Sequence, residues 1–131
     1  MQNERAKIID EWKQFAYMDF DTALHLYEHM IPKPLEIICY HCQQFAEKIL
    51  KASLILYEHD IPKTHDLGML METLKEHISV PKDVMEACDN LTTYGVIVRY
   101  PLEIHIEAHH AEEAIRDARR IRQWIESTGK F

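Results

Sequence analysis

Glycine and proline are scarce in this chain. Its 131 residues include only three Gly and five Pro, gathered in clusters with long stretches between them that contain neither. A sheet protein draws heavily on both for its turns, whereas a helix interior tolerates few of either, so the scarcity favours an all-α chain. Cysteine is also sparse. Cys39, Cys42 and Cys88 make an odd set, and the N-terminal segment has no apolar leader core, which predicts free buried thiols and a cytoplasmic, reducing setting. No run approaches the ~20 apolar residues of a membrane span, so no membrane role is expected. Positive charge is in deficit: 15 Lys and Arg face 22 Asp and Glu, a net charge of −7. That excludes the broad basic surface on which non-specific nucleic-acid binders depend for counterion release. Only a local basic cleft is compatible with it.

Hydrophobic residues make up 47% of the chain and charged residues 28%, a globular balance with enough length for one buried core. No internal repeat, low-complexity tract or linker divides it, so residues 1–131 are expected to form one domain. Steps of three and four place Ile8, Trp12, Phe15, Ala23, Leu26 and Met30 on one stripe, together with Asp19, and predict a helix from about residue 4 to 30. Pro32 and Pro34 stop it. A second helix runs from about Leu35 to Glu58 on the seam Ile38, Cys42, Phe45, Ile49, Ala52 and Leu56. Cys39, Ala46, Leu50, Leu54 and Ile55 extend its apolar surface to a second face, so this helix must be central or covered by a partner. Thr64 or Asp66 caps a short third helix with Leu67, Leu70, Met71, Leu74 and Ile78 inward. Pro81 opens a fourth helix carrying Val84, Ala87, Cys88 and Leu91. The pattern weakens from Tyr94 to Pro101, and a last helix, about Ala108 to Ser127, turns Ala111, Ala114, Ala118, Ile121 and Ile125 inward. The expected architecture is an antiparallel up-and-down bundle of about five helices.

Several polar residues stand out. Asp19 lies on an apolar stripe, and a buried carboxylate must be paired or neutralised; Lys48 and Arg99 are the candidates, and a structural pair fixing helix register is the expected role. His41, Gln44, Lys48 and Lys51 follow one another at steps of three and four on one face of the second helix. That row either lines a polar pocket or dimer cleft for phosphate and base, or is a solvated or intersubunit face. No metal site is expected: Cys39, His41 and Cys42 crowd onto one turn without a second ligand pair, and His105, His109 and His110 with Glu112 and Glu113 lack a zinc-helix motif and read as a polar helix start. No cofactor is expected either, since nothing resembles a phosphate-cradling Gly loop.

Three stretches together resemble the HEPN family. They are the second-helix run from Cys39 to Ala52, in which Tyr40 and His41 precede Gln43-Gln44, an apolar pair and Glu47-Lys48; the helix start Thr64-His65-Asp66-Leu67; and Arg99-Tyr100-Pro101. Trp12, Ala16, Asp19 and Ala23 agree as well. The resemblance implies a helical bundle that forms a homodimer, associates with a minimal nucleotidyltransferase in prokaryotes, and binds a nucleotide or RNA. Arg99-Tyr100-Pro101 reads as a structural or ligand-facing loop, with Arg99 anchoring an anion or pairing with a carboxylate such as Asp19, His105 solvated, and Arg99 and Tyr100 as ligand-binding candidates. Some family members are RNA-cleaving toxins of toxin–antitoxin pairs, carrying an Arg a short step before a His. Here Arg99 and His105 have five residues between them. A His can move the proton of a ribose 2′-hydroxyl and an Arg can steady the charge on phosphate. The chain departs from the toxin pattern in following Arg99 with Tyr100-Pro101, because Pro101 disfavours helix at Tyr100. The resemblance thus implies three roles: a nucleotide- or RNA-interacting module, a metal-independent endoribonuclease using Arg99 and His105, or a non-catalytic dimerisation module.

Overall fold

The computed structural model describes residues 2–96 and 105–131. Arg99, Tyr100 and Pro101 therefore lie outside the described residues. Five α-helices follow in order: α1 (Gln2–His29), α2 (Leu35–Leu56), α3 (Leu67–Leu74), α4 (Lys82–Thr92) and α5 (Ala108–Ser127), with a 3-10 turn at Thr93–Val96 between the last two. No strand occurs among the described residues. The bundle is all-α and up-and-down, as the periodicity predicts.

Local chemistry sets the boundaries. Asp66 caps α3, its side chain accepting from the backbone amides of Gly68 at 2.9 Å and Met69 at 3.4 Å, while Thr64 accepts from the Asp66 amide at 3.1 Å and turns the chain into the helix. Both satisfy donors that an α-helix start leaves without partners. Pro81 occupies the position just before α4, where its missing amide costs nothing. At the start of α5, His110 Nδ1 accepts from the Glu107 amide at 2.9 Å.

Helix α2 packs against every other element, which its apolar girth requires. Ile38, Cys42, Phe45, Ile49, Leu50 and Leu54 are sealed from solvent along its length. Phe45 anchors the α1–α2 seam, with Phe20 edge-on at 5.4 Å and Tyr17 stacked at 6.1 Å. Truncating such a ring to Ala costs about 3–5 kcal/mol in a core that relaxes incompletely.

Helix α1 departs from the expected face. Ala16, Phe20 and Ala23 are the buried residues that meet α2, whereas Ile8, Phe15 and Met30 on the stripe read from sequence are exposed. At about 100° per residue the two faces are separated by roughly a quarter turn, so α1 carries two apolar surfaces. One packs within the chain. The other, Ile8, Phe15 and Met18, is left uncovered by the described residues. Trp12 and Asp19 lie along the border between them.

Candidate functional site

Two polar networks are built around α2, and each begins with a carboxylate taken out of water. Asp19 is 8% exposed. Its Oδ1 lies 2.8 Å from His41 Nδ1 and its Oδ2 accepts from Lys48 Nζ at 2.6 Å. Because an ionised carboxylate only accepts, Nδ1 of His41 carries a proton in this contact. Asp19 therefore orients the imidazole as well as binding the ammonium, and the three-and-four spacing of His41, Gln44 and Lys48 puts all three on one side of α2. All three are half-buried.

The second network centres on Glu47, 4% exposed. Lys51 donates to Glu47 Oε2 at 3.1 Å, Gln43 donates to Oε1 at 3.1 Å, and His65 Nδ1 lies 2.9 and 3.1 Å from the two oxygens. Burial alone pushes the Glu47 carboxyl up, but the hydrogen bonds from Gln43, His65 and Lys51 and the Lys51 charge outweigh it and hold the group below its usual value. Gln43 is fully buried and its amide is oriented on both ends: Nε2 donates to Glu47 and to the His65 carbonyl at 3.4 Å, and Oε1 accepts from Gln44 Nε2 at 2.8 Å. A half-satisfied amide at this depth costs about 1–3 kcal/mol. The two adjacent glutamines thus join the groove side of α2 to the Glu47 side.

Lys51 differs from the other members of the row predicted on α2. It is 8% exposed, held by Glu47, and its ammonium lies 5.9 Å from the Trp12 ring centroid. His41 and Lys48 come together on Asp19 of α1, whereas Gln44 bonds its neighbour Gln43. His105 is solvent-exposed, with Nε2 3.3 Å from Glu107 Oε1, and Arg99 and Tyr100 lie outside the described residues. Sequence reasoning gave Glu47 and His65 no role. Two regular spacings signalled part of their network, Gln43 to Glu47 and Glu47 to Lys51, each one helical turn. The His65 contact spans a loop and had no such signal.

Beside Lys48 the surface opens into a groove of about 250 Å³ lined by Glu11, Trp12, Phe15 and Lys48. Its lining offers two aromatic rings on which a flat base can stack, the Lys48 ammonium that can meet a phosphate, and the Glu11 carboxylate, which opposes an anion. A larger groove of about 320 Å³ lies along α5, lined by Tyr27, Arg116, Arg119, Arg120 and Gln123 among others. Its polar groups are surface side chains, and Arg120 is already near Asp83 at 3.6 Å. The smaller groove, beside the Asp19–Lys48 pair, is the candidate site. The three thiols are not part of it. Burial pushes Cys39 and Cys88 up to about 12 and Cys42 higher still, so they are packing groups rather than nucleophiles.

Comparison with known proteins agrees with this architecture. The crystal structure of TT1696 from Thermus thermophilus superposes with a TM-score of 0.79 at 26% identity, covering 91% of this chain and 96% of that one. The crystal structure of ST0689, an archaeal HEPN homologue, gives 0.71 at 23% identity over 92% and 96%, a likeness of fold. No significant match was found among curated proteins. The family model described as HEPN domain matches residues 9–128, a span that takes in Asp19, Glu47 and nearly all of the five helices, and the chain belongs to the HEPN domain family.

Proposed function

We propose that the chain is a nucleotide- or RNA-interacting module that works as a homodimer beside a minimal nucleotidyltransferase, without needing chemistry of its own. The observation that carries this reading is the groove in which Trp12 and Phe15 stand next to a lysine held in place by Asp19. Stacking of a base on an aromatic side chain contributes about 1–3 kcal/mol, and a single ammonium adds a phosphate contact. With a net charge of −7, long-range attraction opposes binding, so the ligand is held by these local contacts and weakly. Family membership supports a nucleotide-related role at the coarse level.

The uncovered face of α1 supports the dimer. Ile8, Phe15 and Met18 are exposed together, and Ile37 on α2 is exposed on the row that continues to His41 and Lys48. A second copy covering this surface would bring two grooves to one cleft. No observation on the described residues favours the endoribonuclease alternative, since His105 stands in solvent beside Glu107.

The test is titration of the purified protein with mononucleotides and a short single-stranded RNA, followed by NMR. Signals of Trp12, Phe15 and Lys48 should move, and Phe15→Ala should abolish the response. Unmoved spectra at millimolar ligand would defeat the nucleotide site, and co-purification with a nucleotidyltransferase tests the partner separately.

A further inference from the structure

At the end of the bundle where α2 finishes and α3 finishes, we infer that His59, Glu76 and His77 form a binding site for a divalent transition cation, Zn²⁺ foremost. Their ligand atoms all lie within 4.8 Å of one another. The group is assembled by two backbone terminations rather than by one helix face, so sequence spacing gives no hint of it.

The α2 terminus aims His59. The Glu58 amide donates to the Ile55 carbonyl at 2.9 Å and the His59 amide to the Leu54 carbonyl at 3.0 Å, the paired bonds of a Schellman cap. The residue in the left-handed position of such a cap is usually Gly, yet here it is Glu58 at φ 60°. A side chain there costs about 1–2 kcal/mol, and the chain accepts that strain to turn sharply and present His59. The imidazole is fixed as well. Nδ1 lies 2.7 Å from the Asp60 carbonyl oxygen, which can only accept, so Nδ1 carries the proton. The opposite nitrogen, Nε2, lies 3.8 Å from Glu76 Oε2. A ring N–H bound to a carbonyl, with the opposite nitrogen free, is the arrangement that metal-ligating histidines adopt.

The α3 terminus supplies the other two ligands. The amides of Glu76 and His77 donate to the Thr73 and Leu74 carbonyls at 3.2 and 2.9 Å, winding the last turn tightly and holding adjacent residues toward His59. The Tyr57 ring stacks on His77 at 5.4 Å and 10°, and His59 meets His77 edge-on at 5.4 Å. Two imidazoles and one carboxylate suit a borderline cation such as Zn²⁺ rather than Mg²⁺ or Ca²⁺, which prefer oxygen sets. Zinc–ligand bonds of about 2.0–2.2 Å require the donors to draw in by about an ångström. Glu76 has the freedom to do so, its side chain being two-thirds exposed. Three protein ligands leave one position for water. A bound cation would tie the end of α2 to the end of α3 and fasten the loop between them, which carries His65 to Glu47.

The experiment uses the full-length protein stripped with chelator and dialysed free of it. Titration with Zn²⁺ by calorimetry should give one site per chain in the micromolar range, and Co²⁺ should develop visible d–d absorption that Zn²⁺ displaces. His59→Ala and His77→Ala should each weaken binding by at least about tenfold, while His25→Ala on α1 leaves it unchanged. Metal-free melting of the variants checks that they fold. Zn²⁺ should raise the wild-type Tm but not that of His59→Ala. Absence of stoichiometric binding at 100 µM Zn²⁺ (about 100 times a micromolar Kd), or binding that survives both substitutions in folded protein, overturns the site.

Discussion

Lys48 donates to Asp19 across the α1–α2 seam at 2.6 Å, and the same lysine lines the aromatic groove. One ammonium thus serves the register of two helices and the edge of the ligand site. The two roles compete, because the carboxylate that positions the charge also neutralises it. Asp19→Asn keeps the shape and an acceptor while removing the negative charge. We expect the Tm to fall by several degrees, reflecting about 1–3 kcal/mol at a buried polar site. Affinity for a nucleoside monophosphate should meanwhile rise about threefold to tenfold, since Lys48 then faces the phosphate with its charge uncompensated. Calorimetry with wild type and variant checks both. Equal affinity in a folded variant would mean that Lys48 does not reach the ligand.

The bare side of α1 leads to a second expectation. Phe15 is 57% and Met18 60% exposed, so neither holds the chain's own core together. Replacing either with Asp should leave helicity and melting of the subunit nearly unchanged while placing a charge in the centre of an apolar interface, which such interfaces do not tolerate. Light scattering should find the wild type dimeric and Phe15→Asp monomeric. A wild-type monomer at high micromolar concentration would remove the proposed dimer and leave the apolar stripe unexplained.

How much of this was legible in the sequence depended on whether one period carried one message. Ala111, Ala114, Ala118, Ile121 and Ile125 recur on a single face, and α5 runs over the expected Ala108–Ser127. The same rule found α1 and the buried Asp19 and Ala23 but merged two faces into one stripe, because Ile8 and Phe15 on the exposed side flow into them. Periodicity marks apolar surface without saying whether the chain itself or a second molecule covers it. At the site, the row His41, Gln44 and Lys48 was visible because helical spacing brings those positions together. The Glu47–His65 contact was not, since 18 residues separate the pair and only the turn after α2 brings them into contact. His59, Glu76 and His77 were invisible for the same reason, each being placed by how a helix ends.

Glu47 makes stability depend on pH in a stated direction. Its folded carboxyl lies below the ordinary Glu value of 4.5, so the unfolded chain binds its proton first. The stabilisation is complete above 4.5 and is lost as the pH falls through the lower folded value. Asp117 acts with the opposite sign: burial raises it above 3.8 despite the hydrogen bond from Asn90, so its ionised form disfavours the fold and acid relieves that cost. Glu47→Gln should therefore cost about 2 kcal/mol at about pH 7, the worth of hydrogen bonds to a charged group, and clearly less at about pH 3, whereas Asp117→Asn should stabilise at the higher pH and do little at the lower. Urea unfolding of the three proteins at both pH values measures this. A Glu47→Gln deficit that is constant with pH would show that the carboxylate's charge contributes nothing.

The orientation of Gln43 can be tested from the neighbouring turn. A Cβ added at Gly95 would lie 3.2 Å from the Gln43 side-chain carbon and from Nε2, closer than ordinary contact. A surface side chain would swing away, but Gln43 is fully buried and its amide is engaged with Glu47, Gln44 and the His65 carbonyl. Moving it breaks bonds that join both halves of the site. We expect Gly95→Ala to destabilise the wild type by about 1–3 kcal/mol, the cost of overpacking a rigid site. In a Gln43→Ala background the obstruction is gone, and the same change should cost less than about 0.5 kcal/mol. The double-mutant cycle therefore separates a steric clash with this amide from a general effect of Ala in the 3-10 turn. Additive costs would show that the amide yields freely, and the joined network across α2 would lose its central member.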